Sequence, residues 1–159
     1  MKNKVGIGYD VHKLKEGLPL FIGGIQIEHN KGAEGHSDSD VLIHAIIDAL
    51  LGAASLRDIG FNYPDSDQKY KGIDSKILLK DTLNKIKEKG FCIENIDSIV
   101  VLQEPKIGIY IPKMQSTIAN ILNIDVDDVS IKATTTEHLG FVGQKEGVAS
   151  YAICMLSKP

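Results

Sequence analysis

Three polar side chains with metal-ligand character sit in otherwise apolar segments. Asp10 and His12 lie two apart in Y-D-V-H, and His44 ends the run H-S-D-S-D-V-L-I-H that begins at His36. In a strand, a spacing of two puts Asp10 and His12 on the same face. With His44 they offer one oxygen and two nitrogens. That donor set suits zinc, and three protein ligands leave an open position, as in catalytic sites. D-x-H alone is weak; followed by H-S-D-x-D-x-x-x-H it is far more specific.

Asp40, His44 and Asp48 follow at i, i+4 and i+8, so they share one stripe of a helix. Val41, Leu42, Ile43, Ala45, Ile46, Ile47, Ala49, Leu50 and Leu51 surround them, which predicts a helix buried on most sides. A buried polar stripe is costly unless it is paired or bound. A core histidine bonded to a neighbouring acid would satisfy His44. The D-x-H motif shifts the reading to a metal ligand, with Asp40 and Asp48 as capping groups or supports behind the ligand. Ser37 reads as the N-cap, and Asp40 three residues on completes an acidic capping box. His36 stands just before this helix start, where free N–H groups and the dipole favour a phosphate. Otherwise it is a surface loop residue.

Three further segments carry chemistry-bearing residues. R-D-I-G-F-N-Y-P-D-S-D (Arg57–Asp67) is turn-rich and acidic, and by composition alone reads as a surface loop. L-Q-E-P-K (Leu102–Lys106) leaves a buried strand at a proline, a place where loops often hold ligands. K-A-T-T-T-E-H-L-G-F (Lys132–Phe141) gathers hydroxyls and a carboxylate that could serve a phosphate and a hard cation, or cap a helix.

The elements that must position these residues follow from pattern. Val5–Asp10, Leu20–Ile27, Ser98–Leu102, Val129–Thr135 and Val148–Leu156 read as strands, with a bulge or bend at Gly23-Gly24. Asp38–Ser55 reads as a long helix. Ser75–Lys89 is amphipathic, with Leu78, Leu79, Leu83 and Ile86 on its apolar side and Gly90 as its stop. Pro112–Leu122 is a helix opened by proline, and Gly60–Gly72 is a loop. Helices alternating with strands predict α/β or α+β in two layers, one sheet with helices on a face.

The chain has 159 residues, enough for one domain with a real core. Its net charge of −3 offers no reason to expect nucleic acid or an anionic membrane. Cys92 and Cys154 have no metal or redox spacing and read as buried free thiols in a reducing compartment. The N-terminal segment lacks the apolar region of a signal peptide, and no apolar stretch is long enough to span a membrane. The expected location is the cytoplasm, or an organelle of plastid type for a mature chain.

Y-D-V-H, I-G-G, H-S-D-S-D-V-L-I-H-A-I-I-D-A-L-L-G-A-A, D-I-G, Y-P-D-S-D and K-A-T-T-T-E-x-L-G-F-x-x-G-x-x-E-G occur in one order from Val5 to Leu156. In sequence and spacing the chain resembles the 2-C-methyl-D-erythritol 2,4-cyclodiphosphate synthases of non-mevalonate isoprenoid synthesis. The resemblance implies one domain over residues 1–159, of α+β class in two layers. Its expected form is a mixed four-stranded sheet with helices on one face and a small hairpin. It also implies a homotrimer, sheets packed around the threefold axis, with active sites between subunits. The implied reaction is metal-dependent intramolecular phosphoryl transfer. The 2-phosphate of a cytidine diphosphate ester of methylerythritol attacks the β-phosphorus, CMP leaves, and a cyclic diphosphate forms.

Residue by residue, the resemblance puts zinc on Asp10, His12 and His44, and phosphate and polyol contacts on His36, Ser37, Asp58, Ile59, Gly60, Tyr63, Pro64, Asp65, Ser66 and Asp67. It puts the cytidine pocket on Leu102, Gln103, Glu104, Pro105 and Lys106 with Ala133, Thr134 and Thr135, from the neighbouring subunit. Val11, Thr136 and Phe141 are further substrate contacts. Glu137 falls on the ligand for a diphosphate-bound magnesium or manganese, and His36 and Thr135 match transition-state stabilisers. Two positions depart from the family. Gln144 stands where many members have arginine, and Tyr151 where many have glutamate. Both lie, in relatives, near a threefold cavity that can hold an isoprenoid diphosphate. Lys145 does not replace a bidentate arginine, so weak or no binding of that ligand is expected here. Without the resemblance, a zinc-dependent phosphohydrolase of a small phosphorylated metabolite would come first; the second competing reading is a non-catalytic trimeric binding module in which zinc only ties strand to helix.

Overall fold

The computed structural model describes residues 1–159. The strands are β1 (Lys2–Glu16), β2 (Leu20–Ile22), β3 (Ile25–Ile27), β4 (Lys31–Glu34), β5 (Cys92–Val101), β6 (Val129–Thr134) and β7 (Gly147–Lys158). The helices are α1 (Val41–Ala53), α2 (Ile59–Asn62), α3 (Ser75–Glu88), α4 (Ile111–Leu122) and α5 (Gly140–Gly143). No helix is long and apolar enough to cross a membrane.

The class is α+β, and the sheet is mixed, but it has five strands where four were expected. Their order is β4-β1-β7-β5-β6, with only the β5–β6 pair parallel. The added strand, β4, reads K-G-A-E and carries no alternating apolar pattern to announce it. Its pairing comes from β1, which runs on past His12 and matches Lys13 with Glu34. The stretch Leu20–Ile27 forms the expected small hairpin, β2 and β3, and not one strand; its bend is at Gly23 and Gly24, both at positive φ. Glycine adopts that conformation without steric cost.

Along β1 the alternation is strict. Gly6 and Gly8 are buried against α1, while Val5 and Ile7 on the opposite face are 69% and 71% exposed. A Cβ at Gly6 would overlap the Ala49 carbonyl oxygen, and one at Gly8 the Ala45 carbonyl oxygen. Bare glycine backbone therefore lets α1 lie directly on β1. Eleven of the thirteen residues of α1 are buried. Each large aliphatic side chain so buried contributes about 1.5–3 kcal/mol. Leu78, Leu79, Leu83 and Ile86 of α3 join the same core.

Helix α1 starts later than the sequence suggests. Ser39 takes φ 59° and turns the chain, and Asp40, not Ser37, is the N-cap. Asp40 is fully buried, accepting from the N–H groups of Ile43, Gly23 and Gly24 at 3.0, 2.9 and 2.7 Å. Burial raises its carboxyl above the usual range, although those N–H groups pull the other way. This one side chain ties the hairpin turn to the helix start.

Cys154 is buried but Cys92 is exposed, against expectation. A bulge between Ile93 and Asn95 shifts the β5 register. One extra residue reverses the faces of a strand, so Cys92 points away from the core. The Gly60–Gly72 segment is also more ordered than a plain loop. It contains most of α2 and a 3₁₀ turn at Gln68–Tyr70, capped by Asp58 and Asp67.

Gly8→Ala should destabilise the protein by about 3 kcal/mol, since overpacking here must push backbone from backbone. Urea unfolding of both proteins reads this directly; a midpoint unchanged from wild type would contradict the close-contact account.

Candidate active site

Ascending β1 through Gly6, Gly8 and Asp10, the strand runs past Ala53, Ala49 and Ala45 of α1 in descending order, toward His44. The glycine contact thus sets the gap between the strand carrying Asp10 and His12 and the helix carrying His44. Across it the three side chains converge. Asp10 Oδ2 lies 2.8 Å from His12 Nε2 and 3.1 Å from His44 Nδ1, and the two nitrogens are 3.2 Å apart. One donor atom from each of the three falls within 4.8 Å of the others, a spacing that could hold a metal ion.

Each ring is fixed from behind. His12 Nδ1 faces the Glu34 carbonyl at 3.2 Å, so the unexpected strand β4 orients a candidate ligand. His44 Nε2 lies 2.8 Å from Ser75 Oγ, at the first turn of α3, and 3.2 Å from Ser37 Oγ. Asp48, the third member of the stripe, accepts from the Ile59 N–H at 2.7 Å. It therefore holds the start of α2, where Ile59 and Gly60 reach the site. The roles of Glu34 and Ser75 are not legible in the sequence; one works by a main-chain group and the other by a short side chain, each brought in by tertiary packing.

The electrostatics follow from this geometry. Burial works to raise the Asp10 carboxyl, but hydrogen bonds and charge from His12 and then His44 prevail and hold it at about 2. Burial works to lower His44, and the Asp10 carboxylate overcomes it, leaving the imidazole raised. Asp48 is raised by burial first, then by Asp10 and Asp58.

A cavity of about 320 Å³ opens over the cluster. Asp10, His12, His36, Ser37, His44, Ile59, Gly60, Tyr63 and Asp65 line it. His36 Nε2 is buried there without a hydrogen-bond partner, which sets it apart from a solvated loop residue. Asp58, Pro64, Ser66 and Asp67 belong to the same loop but do not line the cavity. Asp58 and Asp67 are engaged as caps. A second cavity, of about 570 Å³, is lined by Leu102, Gln103, Pro105, Lys106, Ala133, Thr134 and Thr135 with Ile107 and Gly108. It shares no residue with the first. Glu104 turns aside to pair with Lys145 at 3.1 Å. Val11 and Phe141 line a third cavity, beside Gln144 and Lys145. Thr136 Oγ1 donates to the Leu139 carbonyl, Thr135 Oγ1 accepts from the Glu137 N–H, and the Glu137 side chain is exposed. Gln144 donates to the His138 carbonyl, and Tyr151 packs against Tyr9 on the outer face of the sheet.

In the metal-free protein the Asp10–His44 attraction favours the fold. Because His44 is raised in the folded state, that contribution is complete below about pH 6.5 and is lost as pH rises through the higher folded value. Asp10→Asn should lower the His44 titration midpoint, as followed by its imidazole proton shifts. An unchanged midpoint would mean that the carboxylate does not govern this histidine.

In sequence and in fold the chain is similar to known proteins. The model of the YgbB family matches residues 3–157. A Cytophaga hutchinsonii protein named 2-C-methyl-D-erythritol 2,4-cyclodiphosphate synthase is 56% identical over 159 residues, covering 100% of both chains. One of the same name from Bacteroides fragilis is 56% identical over 99% of each. Among solved structures, the bifunctional IspDF of Campylobacter jejuni matches with a TM-score of 0.95 at 46% identity. That match covers 99% of this chain and 43% of the longer one. A CDP complex of Plasmodium falciparum IspF matches with a TM-score of 0.86 at 35% identity, covering 99% and 97%. With the match extending over nearly every residue from the first strand to the last, the chain belongs to the YgbB family.

Proposed function

We propose that the chain converts 4-diphosphocytidyl-2-C-methyl-D-erythritol 2-phosphate to 2-C-methyl-D-erythritol 2,4-cyclodiphosphate and CMP, the step its curated relatives are named for. It is a phosphorus–oxygen lyase of the non-mevalonate isoprenoid pathway. The observation that carries the reading is the convergence of Asp10 Oδ2, His12 Nε2 and His44 Nδ1 beside a loop-walled cavity.

The donor set of one oxygen and two nitrogens, with both rings held from behind, fits zinc. Glu137, whose side chain is exposed, would hold magnesium or manganese through the substrate diphosphate. Bound metal would supply positive charge to phosphoryl oxygens as the new P–O bond forms and the bond to CMP breaks. The chain's own residues position the substrate. His36, with its unpartnered Nε2, donates to a phosphate oxygen, and Ser37 and the N–H groups of Ile59 and Gly60 hold phosphate and polyol. Tyr63 and Asp65, from the loop after α2, wall the site against water, which would otherwise divert the reaction to hydrolysis. Leu102–Lys106 and Ala133–Thr135 receive the cytidine, and Thr135 supports the diphosphate. The attacking phosphate is already ionised at neutral pH, so positioning and charge neutralisation suffice.

The two cavities share no lining residue, which supports a site completed by a neighbouring copy. The outer sheet face, with Val5, Ile7, Tyr9, Val11, Tyr151 and Ile153 exposed, supports a homotrimer packed sheet to sheet. An apolar patch of this kind is a mark of association.

Purified protein should release CMP and cyclic diphosphate from the substrate with Mg²⁺ present, and no inorganic phosphate. His44→Ala or prior chelation of zinc should lower turnover by at least about 100-fold, following the loss of a metal ligand. Release of inorganic phosphate in place of the cyclic product would favour the phosphohydrolase. Ile7→Asp on the outer face should shift the mass seen by light scattering from three chains to one. Retention of the trimer would remove that face from the interface.

A further inference from the structure

The side of His44 that faces away from Asp10 is bonded to the protein, and the polarity of that contact can be read. Asp38 Oδ1 and Oδ2 accept from the main-chain N–H groups of Asp40 and Ser75, at 3.1 and 2.9 Å. Ser75 Oγ is also hydrogen-bonded to Asp38 Oδ1. A carboxylate surrounded by donors has no proton to give, so the serine hydroxyl proton points to Asp38. The Oγ lone pair is then left for His44 Nε2, 2.8 Å away, which must be the donor. Ser37 Oγ, at 3.2 Å, is a longer second neighbour and itself accepts from the Ser39 N–H.

We propose that Ser75 and Asp38 are positioning residues for the reaction, forming the one-directional chain His44 Nε2–H to Ser75 Oγ–H to Asp38 that keeps the proton on Nε2 and leaves Nδ1 free to ligate metal. The proposal rests on the reading of Asp10, His12 and His44 as a metal centre. Ser75 is fully buried at the first residue of α3, and Asp38 lies in the turn before α1. The orientation of the ligand therefore depends on the docking of α3, an element that supplies no ligand. Fixing the tautomer by a hydrogen bond on the far ring nitrogen is a general device of metal-bound histidine.

The test uses full-length protein carrying ¹⁵N-labelled histidine. Long-range proton–nitrogen spectra of the zinc-loaded wild type should show His44 protonated at Nε2 and metal-bound at Nδ1. Zinc affinity, measured by competition with a chromophoric chelator, should fall about 10- to 100-fold in Ser75→Ala. It should return toward wild type in Ser75→Thr, which keeps the hydroxyl. Metal bound at Nε2 would overturn the proposal, as would Ser75→Ala holding zinc as tightly as wild type. The wild-type spectrum decides the proton's place even where the threonine variant does not fold. If wild type and His44→Ala take up zinc equally weakly, the metal-centre reading falls and takes the proposal with it. If wild type binds tightly while Ser75→Ala is indistinguishable from it, the proposal alone falls.

Discussion

The constraint on which the structure depends is the contact between bare backbone in β1 and the small-residue edge of α1. Gly6 and Gly8 leave no room for side chains against the Ala49 and Ala45 carbonyls. Close packing of this kind admits little adjustment, because protein interiors are as dense as organic crystals. The strand and helix therefore stand at one separation. Two residues further along the strand, and one back along the helix from Ala45, the same separation meets Asp10 and His44, whose side chains just span it. The distances at the polar cluster follow from a contact containing no polar side chain.

Around that contact the polar groups of α1 act as joints. Asp40 joins the helix to the Gly23-Gly24 turn, and Asp48 joins it to the start of α2. Between them His44 is held by Asp10 on one side and Ser75 on the other. The stripe at 40, 44 and 48 thus links the helix to four separate segments. A buried carboxylate with three N–H partners tolerates burial because each N–H would itself be costly unpaired. Apolar burial supplies the stability, while these joints specify where the surrounding segments sit.

Much of this was legible in the sequence, and what was hidden was hidden for physical reasons. The buried helix, its polar stripe and the shared face of Asp10 and His12 are periodic features, and periodicity survives in one dimension. Strand β4 was not visible, because K-G-A-E pairs through main-chain groups that any sequence possesses. The helix start moved from Ser37 to Asp40 because a single positive-φ residue, Ser39, intervenes, and serine gives no warning of it. Cys92 was misplaced because a bulge is a register event with no compositional mark. At the site, the candidate ligands could be found by type and spacing. Ser75 and the Glu34 carbonyl could not, since a serine on an amphipathic helix and a main-chain oxygen become specific only by where tertiary packing brings them.

The charge state of the cluster decides what kind of chemistry it can perform. A carboxyl held at about 2 is ionised at every physiological pH and is too weak a base to draw a proton from a substrate near neutrality. Asp10 is therefore no candidate for general-base work, and the histidines that depress it are the same groups that would share a cation with it. An arrangement that keeps one carboxylate permanently charged, beside two rings each bonded from behind, is built to present lone pairs at a fixed point. A reaction whose nucleophile is already an anion has no need of a base and every need of such a point, because the barrier lies in bringing two phosphates together. The rigid glycine contact and the depressed carboxyl both suit such a requirement: the first fixes the separation across which Asp10, His12 and His44 meet, and the second keeps the Asp10 carboxylate charged through neutral pH.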